Sequence, residues 1–509
     1  MKPQLFNSLK NYNKKNLLSD LFAGLMVAII ALPLSIALGI QSVPDASGIQ
    51  RGIITAIVAG FFISFLGGSK FQIGGPTAAF VVILFSYISN PEIGILGLAI
   101  AGMMAGVLLI LMSILKVGNV MKYFPYPITI GFTTGIGITL LIGQIKDLCG
   151  FTAEGTEAIH KIISYIENIK TFHLPTFIVG VIGLICVIVL PKINKKIPSA
   201  FVALILCTVV TLLLNKFANT NIATIGSKYG EIKAEFLPID FSGIASVNFS
   251  ALIVPAIVIA FLCAIESLLS ATVAGGMTGT TFDSNQELFG QGVANICSSL
   301  LGGLPATGAI ARTAAGIENG AKSPLTGMFH AVFVLILYFL LMGVVKFIPL
   351  AVFSAILISV AINMSRFPLF IKLTKFGIRD VLILIVTCVL TVIFDLTYGV
   401  IGGVVVTFIA NAKNIKTGLK IEKGENGTLK AKGTLFFLNA NKLTDAILKE
   451  FESFDTVTVD LSEVLRIDET ALEKIVTLNK KIKANGKSLE LVGYNDRICK
   501  RLDKFFKVL

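Results

Sequence analysis

Long apolar runs alternate with short polar turns from the chain's first twenty residues to about position 412, and the pattern then changes to shorter, alternating stretches. A helix needs roughly 20 apolar residues to cross the hydrocarbon core of a bilayer. Charge-free runs of that kind cover 22–43, 52–69, 71–91, 93–115, 123–145, 171–191 and 197–215. A second set covers 241–265, 288–304, 323–345, 347–365, 381–394 and 396–412. The broken stretch 305–317 is too short to span as one helix, yet consistent sidedness requires it. The pattern therefore predicts an α-helical polytopic membrane protein of fourteen transmembrane segments, seven and seven.

Composition sharpens this picture. The 509 residues are 54% hydrophobic and only 14% charged, where soluble domains carry about 25% charged residues. Of the charges, 19 Lys+Arg and 14 Asp+Glu fall after Ala412. That shift predicts three parts: a basic arm at 1–18, a transmembrane domain at 19–412 and a soluble domain at 413–509. The arm "MKPQLFNSLKNYNKKNLLSD" is polar and is not read as a cleaved signal. Placing both termini inside gives the inner loops fifteen basic residues against eight outside, which predicts cytoplasmic termini in the cell inner (plasma) membrane. The net charge of +13 lies beside apolar runs, so it points to anionic lipid headgroups and away from nucleic acid. The seven cysteines form no CxxC pair, and His160, His173 and His330 lack metal-ligand spacing, so no metal or cofactor is expected. No P-loop, nucleophile–base pair or paired catalytic carboxylate appears, which argues against an enzyme.

Two segments break the apolar pattern in the same way. "FQIGGPTAAFVVIL" opens the third segment and "GGLPATGAIARTAAG" the tenth, each with Gly-Gly, a proline, then Thr with Ala. Pro76 and Pro305 lie 229 residues apart. An odd number of spans per half inverts the second half relative to the first. Matching Gly/Pro-interrupted segments in inverted repeats mark the binding site of a transporter. Gly-Gly keeps the chain extended, and Pro suits a helix's first turn, where its missing N–H costs nothing. Each segment is thus expected to be strand-like to mid-membrane and helical beyond. Two such helix N-termini facing each other form an anion site. The structural alternative is that Gly and Pro kink two packed helices.

Two charges stand inside the apolar region. Arg312, about one and a half turns past Thr307, would add positive potential behind the helix ends, or else pair structurally with backbone carbonyls. Glu266, in "IVIAFLCAIESLLSA", is the only formal charge between Asp240 and Asp283. It is a candidate to bind and release a coupling proton, with holding a cation or a neutral, hydrogen-bonded structural role as the alternatives. "DSNQE" at 283–287 reads as a capping box in which Ser284 and Glu287 start the ninth segment.

The stretches "IALPLSIALG", "GGPTAAF", "AIESLLSATVAGGMTGTTFDSNQELFGQGVAN" and "GGLPATGAIARTA" resemble the sulfate permease (SulP) family of anion transporters. The resemblance implies a uracil-permease-like fold of 7+7 inverted repeats. Spans 1–4 and 8–11 would form a core that moves, elevator fashion, against a gate of spans 5–7 and 12–14, in a homodimer. It places the anion by Thr77 and Ala78 on the third segment and by Ala309, Ile310 and Ala311 on the tenth. Arg312 would lie nearby, Leu34 and Ser35 on the first span would approach, and Glu266 would sit at the family's acidic position. Leu34 departs from relatives that carry Gln or another polar residue there. Relatives with Asp in place of Glu266 use sodium, so Glu favours a proton or uncoupled exchange.

The tail resembles a STAS domain, a small α/β module. "KGTLFFLNANKL" reads as its opening strand and helix start, and "TVTVDLSEVLRIDETALEKIVTLNKKIKANGKSLELVGY" as strand, helix, strand. "DETA" puts Glu469 where related domains carry a phosphorylated Ser, so no phosphoswitch is expected there, and Thr470 reads as a helix N-terminal residue. The expected function is secondary transport of an inorganic or small carboxylate anion, sulfate or bicarbonate first, by symport or exchange. A nucleobase–proton symporter on the same fold and a non-transporting sensor with a STAS tail are the rival readings.

Overall fold

The computed structural model describes residues 2–493 except 11, 120–124, 153, 154, 156, 157, 195, 196, 366, 375, 376, 395 and 485. Lys122, Lys195, Lys196, Arg366 and Lys375, counted above as inner-loop charges, and Cys499 lie outside the described residues. The first half runs α1 (Gln4–Ser8), α2 (Lys14–Ser42), α3 (Ala46–Leu66), β1 (Gly74–Gly75), α4 (Ala78–Ser89) and α5 (Gly94–Ile114). It continues with α6 (Tyr126–Cys149), α7 (Ala158–Glu167), α8 (Leu174–Ile193), α9 (Ser199–Phe217) and α10 (Ile225–Tyr229). The second half holds α11 (Phe249–Thr278), α12 (Ser284–Leu300), β2 (Thr307–Gly308), α13 (Ile310–Glu318), α14 (Leu325–Val345) and α15 (Leu350–Ser365). After these come α16 (Phe367–Leu373), α17 (Ile378–Ile393) and α18 (Leu396–Thr417). Among the described residues nine helices are long and apolar enough to cross a membrane.

The two interrupted segments differ from these in kind. At 1.5 Å per residue the 12-residue α4 and the 9-residue α13 extend about 18 and 14 Å, near half the hydrocarbon thickness. Each follows a two-residue strand, so each is extended first and helical afterwards.

Some elements depart from the sequence expectation. The eighth segment was expected at 241–265, but Phe241–Ser246 is a 3-10 turn capped by Asp240, and the helix runs from Phe249 to Thr278. Its C-terminal half continues through Ser267, Ser270 and Ala274, which are buried against neighbours instead of ending the span. The ninth segment is not started by a Ser284/Glu287 box. Asp283 is the cap, accepting from the backbone N–H groups of Asn285 and Gln286. Glu287 reaches to another part of the chain, as described below.

The chain packs as two compact units, Met1–Gly118 with Ile136–Asn363, and Asn119–Gly135 with Met364–Leu509. In the first, α2 packs on α3 and α14, and α12 on α5 and α3. Asp20 anchors this packing: its carboxylate accepts from Lys322 N (2.6 Å), Ser323 N (3.1 Å), Ser323 Oγ (2.6 Å), Thr326 Oγ1 (2.6 Å) and Tyr12 OH (2.5 Å).

In the second unit, β3 (Leu419–Lys423), β4 (Thr428–Leu435), α19 (Ala440–Glu450), β5 (Thr456–Ile467), α20 (Glu469–Ala484) and β6 (Ser488–Val492) form a four-stranded sheet with two helices. The strand order is β3-β4-β5-β6, the first pair antiparallel and the others parallel. Val457, Val459 and Leu461 are buried at period 2, and Leu472, Ile475 and Val476 are buried at helical spacing. The strand expected to open this module is its second; the charged β3 precedes it. Thr470 lies in the first turn of α20, where its Oγ1 accepts from Tyr126 N at 3.0 Å. Asp468 precedes α20 and accepts from Ala471 N (2.8 Å) and Phe437 N (2.9 Å).

Candidate functional site

The two short strands pair antiparallel, with Gly74 opposite Gly308 and Gly75 opposite Thr307. Ala309 N donates to Ile73 O at 2.9 Å, and Ile73 N donates to Thr313 Oγ1 at 3.1 Å. Because α4 begins three residues after Gly75 and α13 two after Gly308, the antiparallel ribbon sends the helices off in opposite directions and leaves their N-termini together. Glycine is required at this crossing. Gly75 has φ +152°, and a Cβ on it would stand 2.5 Å from Arg312 Nη1, while a Cβ on Gly308 would overlap the Gln72 amide.

Each helix start then contributes its free N–H groups. Thr77 caps α4, its Oγ1 accepting from Ala79 N at 3.3 Å. Ala309 precedes α13 and no side chain caps that helix, so the N–H groups of Ile310, Ala311 and Arg312 find no side-chain acceptor. Two helix termini carry about half a positive charge each.

Arg312 lies beneath this point, 1% exposed. Its Nη1 donates to Pro76 O at 2.9 Å and its Nη2 to Ser35 Oγ at 3.2 Å. The guanidinium thus ties the β1–α4 joint to α2 while its charge adds to that of the two termini. Both readings of this arginine meet here: it pairs with a backbone carbonyl, and it lies behind the helix ends.

Glu266 approaches from α11. Thr77 Oγ1 donates to Glu266 Oε1 at 2.6 Å, and Glu266 Oε2 has no partner. No direct ion pair joins Glu266 to Arg312; they interact through space. Of the nine residues singled out from sequence, Ser35, Thr77, Ala78, Ala309 and Arg312 are buried, Leu34, Glu266 and Ile310 are half-buried, and Ala311 is exposed. The net field of two termini and one guanidinium against one carboxylate favours an anion.

Sequence reasoning missed the residues that hold the crossing in place. Asn295 grips the approach to β2 on both sides, accepting from Ala306 N and donating to Ala306 O, each at 2.8 Å. Glu287, fully buried, accepts from Gly68 N (3.0 Å), Ser69 N (3.0 Å), Ser267 Oγ (3.1 Å) and Gln291 Nε2 (2.9 Å). Gln72 Nε2 donates to Ser267 O at 3.1 Å. A signal existed: Ser284, Glu287, Gln291, Asn295 and Ser298 recur at spacings of three and four, a polar stripe on α12. No group of three His, Cys, Asp or Glu able to hold a metal occurs among the described residues.

The sequence profile of the sulfate permease family matches residues 17–387, and that of the STAS domain matches residues 420–505. The chain belongs to the sulfate permease family. This member is 36% identical over 512 residues to YvdB of Bacillus subtilis (strain 168), a protein named for sulfate transport, covering 97% of this chain and 95% of that one. It is 31% identical over 428 residues to the bicarbonate transporter BicA of Picosynechococcus sp., covering 80% of this chain and 72% of the relative. Among solved structures it resembles the transmembrane domain of a cyanobacterial BicA, with a TM-score of 0.69 at 28% identity, covering 76% of this chain and 98% of that domain. The overall structure of SLC26A9 shares the fold, with a TM-score of 0.72 at 17% identity, covering 99% of this chain and 89% of that one. The family is one of transporters, and this member has its membrane transporter fold followed by a STAS domain.

Proposed function

We propose that this family member carries an inorganic or small carboxylate anion, sulfate or bicarbonate first, across the plasma membrane, holding it between the first turns of α4 and α13. The observation that carries the reading is the β1–β2 crossing, which brings two helix N-termini to one place above a buried arginine. Backbone N–H groups and a helix dipole recognise negative charge and discriminate weakly among its bearers, so the site selects a class of ion. The names of its relatives, which include sulfate and bicarbonate transporters, favour those two anions.

Thr77, Ala78, Ala309, Ile310 and Ala311 line the anion in this reading, with Leu34 and Ser35 alongside and Arg312 behind. Glu266 is the coupling residue. Its carboxylate lies one hydrogen bond from the cap of α4, so its charge state and the hold on the anion are linked. A proton is the coupling ion of choice over sodium, because Glu266 stands where sodium-using relatives carry Asp and its Oε2 has no partner among the described residues. Absence of coupling would make the protein an exchanger. The transporter would work as a homodimer with cytoplasmic termini, fourteen segments and an elevator movement of a core against a gate, the STAS domain supporting or regulating the dimer. The nucleobase reading is disfavoured, since the first turn of α13 offers Ile310, Ala311 and Arg312 and no carboxylate for a neutral base.

The test is uptake of radiolabelled sulfate, bicarbonate, nitrate, chloride and succinate into proteoliposomes, with and without an inward proton or sodium gradient, for the wild type and Glu266→Gln. Uptake stimulated by protons in the wild type and indifferent to them in the variant supports the proposal. Gradient-independent flux in both makes the protein an exchanger or facilitator, and no flux of any anion overturns the transport reading.

A further inference from the structure

A second polar space lies in the membrane unit, and none of the residues assigned to the helix-start site lines it. It is a cavity of about 340 Å³ between the C-terminal ends of α2 and α6, the first and middle turns of α4, and the segments carrying α7 and α10. Cations outnumber anions among its charged lining residues, which include Lys146, Lys161 and Lys228. The only acid among the described lining residues is Asp147, and its Oδ2 already accepts from Gln41 Nε2 at 3.2 Å. None of the three lysines forms an ion pair among the described residues. Lys161 instead lies over the Phe85 ring, 5.4 Å from its centroid. Burial, and then the nearby charge of Lys146, push the Lys161 ammonium below its ordinary pKa.

Gln144 supplies the second, independent observation. It is 0% exposed and lines the cavity, yet neither its amide nitrogen nor its amide oxygen has a hydrogen-bond partner. Buried polar groups are normally satisfied. Gln144 shares the wall with three ammonium groups that form no ion pair among the described residues, and a hydrated oxyanion is their complement: it accepts from the ammonium groups and, once the amide turns toward the cavity, from Nε2, while its water donates to the amide oxygen. The volume, roughly that of ten waters, accommodates one with part of its shell.

We propose that this cavity is an anion-collecting site, separate from the one at the helix starts, which takes up an oxyanion such as sulfate and passes it along α4. That helix carries Thr77 and Ala78 at its first turn and Val81 and Phe85 in the cavity wall, so one element lines both places. The delivery role rests on the transport reading, with the cavity on the outer face in the proposed orientation; the collection of anions does not. A cleft lined by one sign of charge raises the local concentration of the opposite ion by about 10- to 1,000-fold.

The experiment uses the full chain with its accessible native cysteines replaced by serine and Gly143→Cys introduced. A Cβ at position 143 meets only Lys161 Nζ, at 3.9 Å, so the thiol has room and reports directly on that ammonium. Val82→Cys, on the α4 wall, is the second reporter if the first fails to fold. Modification rates are compared for an anionic thiosulfonate (ethylsulfonate) and a cationic one (ethyltrimethylammonium). Taking the ratio cancels any change in the thiol's own reactivity. The expected result is an anionic preference of about tenfold or more, slowed by sulfate and brought toward unity by Lys161→Gln. No preference, or a cationic one, overturns the proposal. In parallel, Lys161→Gln with Lys228→Gln is expected to raise the half-saturating external sulfate concentration severalfold while leaving the maximal uptake rate unchanged. Reagent preference without flux of any anion sinks the transport reading and leaves the collecting site standing; flux without reagent preference does the reverse.

Discussion

Thr77 is the point at which the anion site and the coupling carboxylate meet, and Thr77→Val separates its contributions. Valine keeps the shape of threonine and removes the hydroxyl, which both donates to Glu266 Oε1 at 2.6 Å and accepts from Ala79 N at 3.3 Å. Loss of a helix N-cap costs about 1 kcal/mol. Loss of a hydrogen bond to a charged group costs about 1.5–3 kcal/mol, although inter-helix hydrogen bonds in membranes average about 0.6 kcal/mol in double-mutant cycles. Those bounds give a total of about 1.5–4 kcal/mol. Glu266 Oε2 already lacks a partner, so the valine variant leaves the whole carboxylate unmet, and about 3 kcal/mol is the expected loss. Equilibrium unfolding in mixed micelles measures it, and a cycle with Glu266→Gln isolates the pair, with about 1–2 kcal/mol of coupling expected. Thr77→Ser retains both bonds and restores most of the stability and of the sulfate uptake. A valine variant as stable and active as the wild type, or a serine variant no better than valine, refutes the assigned role.

Other consequences follow from the same network. Arg312→Lys keeps a charge but cannot fork to both Pro76 O and Ser35 Oγ. It is expected to cost about 1–3 kcal/mol for the unmet group and to lower the apparent affinity for sulfate more than the maximal rate; unchanged half-saturation contradicts this. Asp20→Ala removes the acceptor of five hydrogen bonds, four from residues 322–326 at the start of α14 and one from Tyr12. We expect a loss of about 3–5 kcal/mol, seen as rapid proteolysis at the 319–324 turn. In the STAS domain, burial first and then the nearby Asp380 raise the Asp468 pKa to about 7. The folded domain therefore holds this proton more tightly than the unfolded chain. Its stabilising effect is complete below about pH 4 and is lost as pH rises to about 7, with a slope of up to about 1.4 kcal/mol per pH unit. Hydrogen exchange of β4 and α20, corrected for intrinsic rates, should show more protection at pH 5 than at pH 8, and Asp468→Asn should flatten the difference. Protection that rises with pH contradicts the assignment.

The membrane helices were legible because lipid imposes a length and a polarity that few other structures share, and the two interrupted segments because Gly-Gly-Pro and Gly-Gly-Leu-Pro break that polarity in matching places. The strand and helix of the tail were legible from the alternation of Val457 and Val459 and the helical spacing from Leu472, while its STAS character came from the resemblance alone. Less was legible where a side chain's partner lies far along the chain. Thr77 and Glu266 are 189 residues apart, and no periodicity announces their bond. The Glu287 carboxylate looked like a local cap because a capping box is a four-residue pattern. Its donors at Gly68 and Ser69 lie in another segment, and Asp283 took the cap in its stead. The eighth helix outran its apolar stretch since its later turns face protein, where Ser267 and Ser270 find partners that lipid would deny them. The edge strand β3 was not anticipated: Lys420, Glu422 and Lys423 interrupt any apolar alternation, yet they pair along β4, with Lys432 Nζ 3.1 Å from Glu422 Oε2.

An anion held between the first turns of α4 and α13 should be visible directly. Selenate, which substitutes for sulfate and scatters anomalously, tests this in crystals of the full-length protein grown without sulfate. The expected result is an anomalous peak within hydrogen-bonding reach of the backbone N–H groups of Ala78, Ile310 and Ala311, with Thr77 and Arg312 close by, and its loss in Thr77→Val. A map in which selenate fills other sites and leaves this one empty, or in which the peak lies against side chains far from both helix starts, contradicts it.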